Sequence, residues 1–235
     1  MLADLEWLGI AFDGISRQSE RLHAHAAMLD RLKVMGLVYP AFMSRGDIRR
    51  HVAERPGWPR DPDGAPLYPG GERELDEAER GVRIEAGEPH TWRLDTVAAL
   101  GRTGPVTWRA WKPDGSIETV QADPLAWGDP VLARRDMPTS YPLAVVTDDA
   151  AQGVTHVVRG RDLERATDLH ALLQRLLERP SPLYRHHDLV MGEDGRKLSK
   201  SHGDTSLRVL RSSGVEAAAI KRIVGLDQAV SMRSS

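Results

Sequence analysis

The residues best suited to chemistry crowd into one glycine-flanked run near the C-terminus. Gly192 and Gly195 precede Lys197, Leu198, Ser199, Lys200 and Ser201, with Asp204 just beyond. Two ammonium groups on flexible stems beside two hydroxyls suit a mobile polyphosphate better than a fixed carboxylate. The glycines allow backbone angles that other residues avoid. A solvated basic turn has the same composition, so this run alone does not separate the two readings. A second candidate is Arg159. It follows the apolar run Thr155, His156, Val157 and Val158 and precedes Gly160. A planar guanidinium at a strand end is well shaped to bind a carboxylate, and an ion-paired structural arginine is the competing reading.

The elements that must position these groups can be read from periodicity. Leu143, Ala144, Val145 and Val146 form a continuous apolar run, read as a strand buried on both faces. Thr155–Val158 is a second such strand, and Leu189, Val190 and Met191 a third. Between the second and third lies a helix with Leu163, Ala166, His170, Leu173 and Leu177 on one stripe. Strand, helix, strand with polar residues at strand ends describes an open α/β sheet, whose ligands sit beyond the carboxyl ends of the strands. Arg159 and Lys200 both occupy such positions.

Upstream, Leu22, Ala26, Leu29, Leu32 and Met35 predict an amphipathic helix ended by Gly36. His23 and His25 diverge on that helix and read as surface residues, not metal ligands. Ser44 with Asp47 three residues on predicts a capped helix reaching about Glu54. Prolines and glycines from Arg55 to Gly71 predict an irregular loop, followed by an exposed, charge-laced helix from Glu72 to Ala86. Alternation predicts strands at 91–95 and 106–111, the latter paired through a turn at Asp114 and Gly115 with 116–121, and a further strand at 131–133. Short helices are expected at 2–8, 206–212 and 215–224.

Composition narrows the function. A chain of 235 residues with 40% hydrophobic and 28% charged residues matches an ordinary water-soluble globular protein. A net charge of -2 gives no global basic signature for nucleic acid, so any such partner needs a local patch. The absence of cysteine excludes disulfides and thiolate zinc sites. No apolar run reaches the length of a membrane span, and the first residues lack a basic, cleavable leader, so a cytoplasmic location is expected. Adjacent histidines His186 and His187 point to opposite faces of a strand and supply no metal pair.

In combination and order, these segments resemble the class I glutamyl-tRNA synthetase family, most closely its shortened branch that glutamylates queuosine in tRNA(Asp). The resemblance rests on Asp4 to Gly9, Arg17 to Arg21, Asp136 to Tyr141, Ala144 to Asp149, Gly153 to Gly160, and Gly195 to Ser201, the last resembling the family's KMSKS-type loop. It implies a Rossmann-like α/β catalytic domain over 1–204, with an inserted α+β subdomain at 37–90 and a helical stub at 205–235. The family's HIGH-type motif has no counterpart after Met1, so the catalytic domain is expected to be N-terminally truncated. The short branch fits because only about one helical hairpin follows the loop, where a full glutamyl-tRNA synthetase continues into an anticodon-binding region.

The resemblance also implies the chemistry. ATP and glutamate would form glutamyl-adenylate, and the glutamyl group would pass to the queuosine base at the wobble position of tRNA(Asp). Lys200 would hold the ATP phosphates, with Lys197 and Ser199 supporting that loop, while Arg159 would bind a glutamate carboxylate and Tyr141 would hydrogen-bond glutamate through its phenol. The family's zinc ligands correspond to Ala41, Met43, Tyr68 and Glu72, a set without cysteine, so no zinc is expected. Pro142 stands where the family commonly has histidine, and it restricts Tyr141 to extended conformations. A monomer is expected. Two alternatives remain: a piece of a glutamyl-tRNA synthetase, or an inactive remnant that binds tRNA or a protein.

Overall fold

The computed structural model describes residues 2–192, 195–198 and 204–226. They fall into two compact units, one built from residues up to 16 and from 188 onward, the other from 17–187. In the first unit, helix α1 (Leu2–Trp7) carries Asp4, whose carboxylate accepts a hydrogen bond from Arg211 Nε at 3.1 Å.

The second unit begins its regular structure with α2 (Leu22–Val34), on which Leu29 and Leu32 face the core, and Gly36 leaves the helix at φ 70°. A left-handed turn at that place requires glycine. Strand β1 (Val38–Ala41) then leads to α3 (Arg45–Ala53). Ser44 caps α3 with a reciprocal Asp47 capping box, as the sequence predicts. After the proline- and glycine-rich loop comes α4 (Glu77–Glu85), capped in the same way by Asp76 and Glu79. Strand β2 (Thr91–Leu94) pairs antiparallel with β1 and, on its other side, with β5 (Val131–Arg134), giving a three-stranded sheet in the order β1-β2-β5. Between β2 and β5 lie α5 (Thr96–Thr103) and the hairpin β3 (Thr107–Trp111) and β4 (Ile117–Gln121). The hairpin turns through Gly115 at φ 84°.

Helix α6 (Tyr141–Ala151) leads into a βαβ unit of β6 (His156–Gly160), α7 (Ala166–Leu176) and β7 (Leu183–His187). The second sheet has the order β4-β3-β7-β6, with β7 parallel to both β3 and β6 and only the β3–β4 hairpin antiparallel. One hydrophobic cluster joins the two sheets through α2, α6 and α7, including Leu32, Leu94, Trp108, Leu132, Leu143, Leu172 and Tyr184. Two short helices, α8 (Leu207–Ser212) and α9 (Ala217–Ile223), complete the first unit.

Four expectations are corrected. The apolar run 143–146 is helical, not a strand. A four-residue apolar run is ambiguous between a buried strand and a buried helix. Pro142 settles it locally: it occupies the first turn of α6, where its preset φ fits and no N–H is missed. The strand after α7 spans 183–187, before the apolar residues 189–191. His25 is fully buried rather than on the surface, and Glu72 is buried in a 3₁₀ turn rather than exposed on a helix. Helix α5 also follows β2 directly, where the periodicity gave no element; Asp95 caps it by accepting from Ala98 N–H at 2.9 Å.

Candidate active site

Arg159 is the penultimate residue of β6, at the carboxyl end of a parallel strand, where the sequence reading expects it. In the β6–β7 register it lies opposite His186, so the two side chains share one face of the sheet. Helix α7 brings Thr167 and His170, one turn apart, against that face. Arg159 Nε donates to His186 Nε2 at 3.3 Å, Nη1 to His170 Nδ1 at 3.2 Å and Nη2 to Thr167 Oγ1 at 2.6 Å. The guanidinium carbon lies 5.4 Å from the Tyr184 ring centre, and the Tyr184 hydroxyl in turn accepts from Gln174 Nε2 at 2.8 Å. Trp108, which meets His186 and Tyr184 edge-on, is held by donating Nε1–H to Asp168 at 3.0 Å.

Every acceptor around Arg159 is neutral. Burial, then the Arg159 charge, pushes His170 down to about 3, and the same two causes push His186 down to about 4. Both imidazoles therefore stay uncharged at pH 7 and offer lone pairs to the guanidinium. Among the described residues, no carboxylate reaches Arg159 at ion-pair distance. Three of its five N–H groups are used in these bonds, so the cation is held rigidly but left for an anion to neutralise.

Tyr141 approaches the same cluster from the first turn of α6, not from a strand end. Its ring centre is 5.7 Å from that of His170, the ring is about half exposed, and its hydroxyl has no hydrogen-bond partner among the described residues. Tyr141 and Arg159, the two residues expected to bind glutamate, thus meet around His170. Thr167, His170 and His186 were not singled out by sequence reasoning as site residues. A histidine interrupting the apolar stripe of α7 was the one available signal for His170.

The orientation of α6 is fixed from below. Asp148 accepts from Arg21 Nε at 2.7 Å and Gln18 Nε2 at 3.3 Å, and it lies 3.0 Å from His25 Nε2. These partners hold the Asp148 carboxyl below its usual range despite the opposing effect of burial. The tie locks α6 to α2 and its preceding turn.

In the other unit, the lysine-rich segment folds back on itself. Leu198 N–H donates to Val190 C=O at 3.0 Å, Gly192 N–H to Arg196 C=O at 2.7 Å, and Lys197 bridges to Met191. Gly195 adopts φ 73° to make the reversal. Ser199 and Lys200, expected to act with Lys197, lie outside the described residues.

The four positions matching the family's zinc ligands do come together. Ala41, Tyr68 and Met43 share a small apolar cluster, and Glu72 Oε1 accepts from Phe42 N–H at 3.2 Å. Met43 N–H donates to the Tyr68 hydroxyl at 3.4 Å. Burial, then the neighbouring Glu72 carboxylate, raises the Tyr68 phenol above its usual range. Arg93 stacks on the Tyr68 ring at 4.0 Å. Glu72 Oε2 is an oxygen without a hydrogen-bond partner, Ala41 contributes no donor atom, Met43 offers a thioether in place of a thiolate, and the chain has no cysteine. This set does not fit a four-coordinate zinc ion.

Comparison with known proteins places these features in context. The catalytic domain of class I tRNA synthetases (E and Q) matches residues 1–227. A glutamyl-Q tRNA(Asp) synthetase from Rhodobacter capsulatus is 43% identical over 96% of this chain and 81% of its own length. Glutamate–tRNA ligase 2 of a Ruegeria species is 36% identical over 92% of this chain, which spans 46% of that enzyme. A crystal structure of the glutamate–tRNA synthetase from Elizabethkingia anophelis shares the fold, with a TM-score of 0.66 at 24% identity over 86% of this chain and 42% of its own. Among the described residues, no helix is long and apolar enough to cross a membrane.

Proposed function

The chain belongs to the class I tRNA synthetase (E and Q) catalytic-domain family, and from that premise we propose that it activates glutamate with ATP and transfers the glutamyl group to queuosine in tRNA(Asp). The single observation that carries the glutamate reading is Arg159: a guanidinium fixed by three neutral acceptors, with no carboxylate of its own and the free hydroxyl of Tyr141 on the same cluster. A dicarboxylate substrate supplies the missing anion. The name of the Rhodobacter relative supports queuosine over the tRNA 3′ end as acceptor.

In the first step a glutamate carboxylate oxygen attacks the α-phosphorus of ATP, forming glutamyl-adenylate and releasing pyrophosphate. In the second, a hydroxyl of queuosine attacks the mixed anhydride and releases AMP. Neither step needs a covalent protein intermediate, so the protein acts by positioning and by charge stabilisation. Arg159 binds one glutamate carboxylate and Tyr141 donates a hydrogen bond to the substrate. Lys200 holds the ATP phosphates and Lys197 and Ser199 support its loop. The reaction occurs in the cytoplasm, and the protein acts without a resident zinc ion.

Two assays test this. Glutamate-dependent exchange of labelled pyrophosphate into ATP reports the first step. Transfer of labelled glutamate to queuosine-containing tRNA(Asp), against the same tRNA lacking queuosine, reports the second. Exchange that is abolished by Lys200→Ala, with transfer only to the queuosine-containing tRNA, is expected. Transfer to the 3′ end of a glutamate tRNA instead, or no exchange at all, overturns the proposal.

A further inference from the structure

The sheet β4-β3-β7-β6 has two unlike faces. Helix α7 lies against one, where Trp108, Tyr184 and His186 gather around Arg159. The other is open to solvent: Arg109, Thr119 and His156 are exposed on it, and Val158 keeps 59% of its surface. Sheets built on βαβ crossovers usually have both faces covered, and their strands then read as apolar runs.

The strand register defines what the open face carries. One row across it is Thr119, Arg109, Leu183 and His156. Two residues along each strand, Ile117 pairs with Trp111 and Val158 with Arg185. The Arg185 guanidinium carbon lies 5.2 Å from the Trp111 ring centre, and Trp111 meets the His156 imidazole edge-on at 5.5 Å. Each apolar residue of the face is thus paired with a cation or an aromatic ring, and no continuous apolar patch forms. Glu118 is the one acid within the four strands. It stands opposite Ala110, on the α7 side, so the open face has two arginines and no carboxylate. Arg109 makes no hydrogen bond or ion pair with any described residue.

We propose that this face docks an unpaired stretch of RNA, with Trp111 and His156 stacking bases and Arg109 and Arg185 holding phosphates. The inference extends the tRNA reading above from the reaction site to a second surface. The chain's net charge of -2 gives no general attraction for a polyanion, so RNA needs a local patch, and an acid-free face supplies one. An aromatic ring with a guanidinium over it offers a flat, cationic surface suited to a base and its phosphate. Four strands about 4.8 Å apart span about 14 Å, room for the two or three bases that other RNA-binding sheets stack. Side chains alternate along β6, so Arg159 points away from this face while Val158 and Gly160 flank it, and RNA held here leaves the Arg159 cluster free.

Fluorescence anisotropy with a labelled single-stranded RNA of about twelve nucleotides, and with a duplex of the same length, tests the proposal. Wild-type protein is expected to prefer the single strand. Trp111→Ala and Arg109→Glu are each expected to weaken it by roughly tenfold, while Trp111→Phe keeps most of the affinity. Arg109→Ala should lower the slope of log affinity against log salt by about one. Arg109→Glu changes an exposed residue outside the reaction site, so glutamate-dependent pyrophosphate exchange should be unchanged and shows that the variant is folded. If neither Arg109→Glu nor Trp111→Phe and Trp111→Ala alter RNA affinity, or if the duplex binds as tightly as the single strand, the proposal is overturned. It is equally overturned if sedimentation shows a wild-type dimer that Arg109→Glu dissociates without any change in RNA affinity, because the face then joins two copies of the chain. RNA binding that depends on Arg109 and Trp111 in a protein without pyrophosphate exchange upholds the docking surface and refutes the catalytic reading. Exchange with RNA binding indifferent to both residues does the reverse.

Discussion

Arg159 donates its Nη1–H to Nδ1 of His170, a residue with no exposure to solvent, at 3.2 Å. A buried imidazole that accepts from a guanidinium must be neutral on that nitrogen, and its proton is carried on Nε2. The pair thus fixes the direction of a cation without cancelling its charge.

Replacing Arg159 by lysine keeps the charge but removes the fork that engages His186, His170 and Thr167. The expected outcome is a rise in KM for glutamate in pyrophosphate exchange of roughly ten- to a hundredfold, equivalent to losing about 1.5–3 kcal/mol of charge-assisted bonding. KM for ATP should change little. Equal effects on both substrates would contradict a role confined to glutamate.

The two neutral histidines make the fold sensitive to acid. In the unfolded chain each takes up a proton near pH 6.5, whereas in the folded protein His186 does so only at about 4 and His170 at about 3. The unfolded state therefore binds more protons over that interval. Stability is fully present above about pH 6.5 and declines as pH falls towards 4, by up to about 1.4 kcal/mol per pH unit for each histidine. Urea unfolding midpoints measured from pH 7.5 to 4.5 should show this decline. Substituting His186 by asparagine should flatten it.

Asp148→Asn should destabilise the protein by about 2–4 kcal/mol. It removes the charge that pairs with Arg21 and leaves His25, which is wholly buried, facing an amide. Because this tie orients α6, glutamate affinity should fall together with stability. Thermal unfolding and glutamate titration on one preparation measure both.

Glu72→Ala leaves the buried N–H of Phe42 without its acceptor and should cost about 1–3 kcal/mol. Proteolysis should locate the loss in the 55–71 loop, which Glu72 helps to hold against β1. A chelator should leave the melting temperature of the wild-type protein unchanged. A lowered melting temperature that zinc restores would show that Tyr68 and Glu72 hold a metal after all.

Local order was legible wherever neighbours in sequence decide it. The stripe of α2, the Ser44–Asp47 capping box of α3 and the β3–β4 hairpin each depend on residues a few positions apart. Arg159 at a strand end followed from an apolar run broken by a charged residue and glycine. The run at 143–146 failed for a stated reason: four apolar residues carry no period, and Pro142, read as a restraint on a strand, is equally at home in the first turn of a helix.

The sequence by itself determined the chemical inventory and the lineage: a lysine-rich loop, an arginine beyond a strand, no thiolate, and an ordered set of segments shared with one synthetase family. Only the tertiary structure decided how those groups are used. His25 became an interior partner of Asp148 across 123 positions, and Arg159 found its acceptors 8, 11 and 27 residues away on two different elements. Periodicity reports which face of an element turns inward. What waits there is set by other elements, whose arrival depends on the packing of the whole unit.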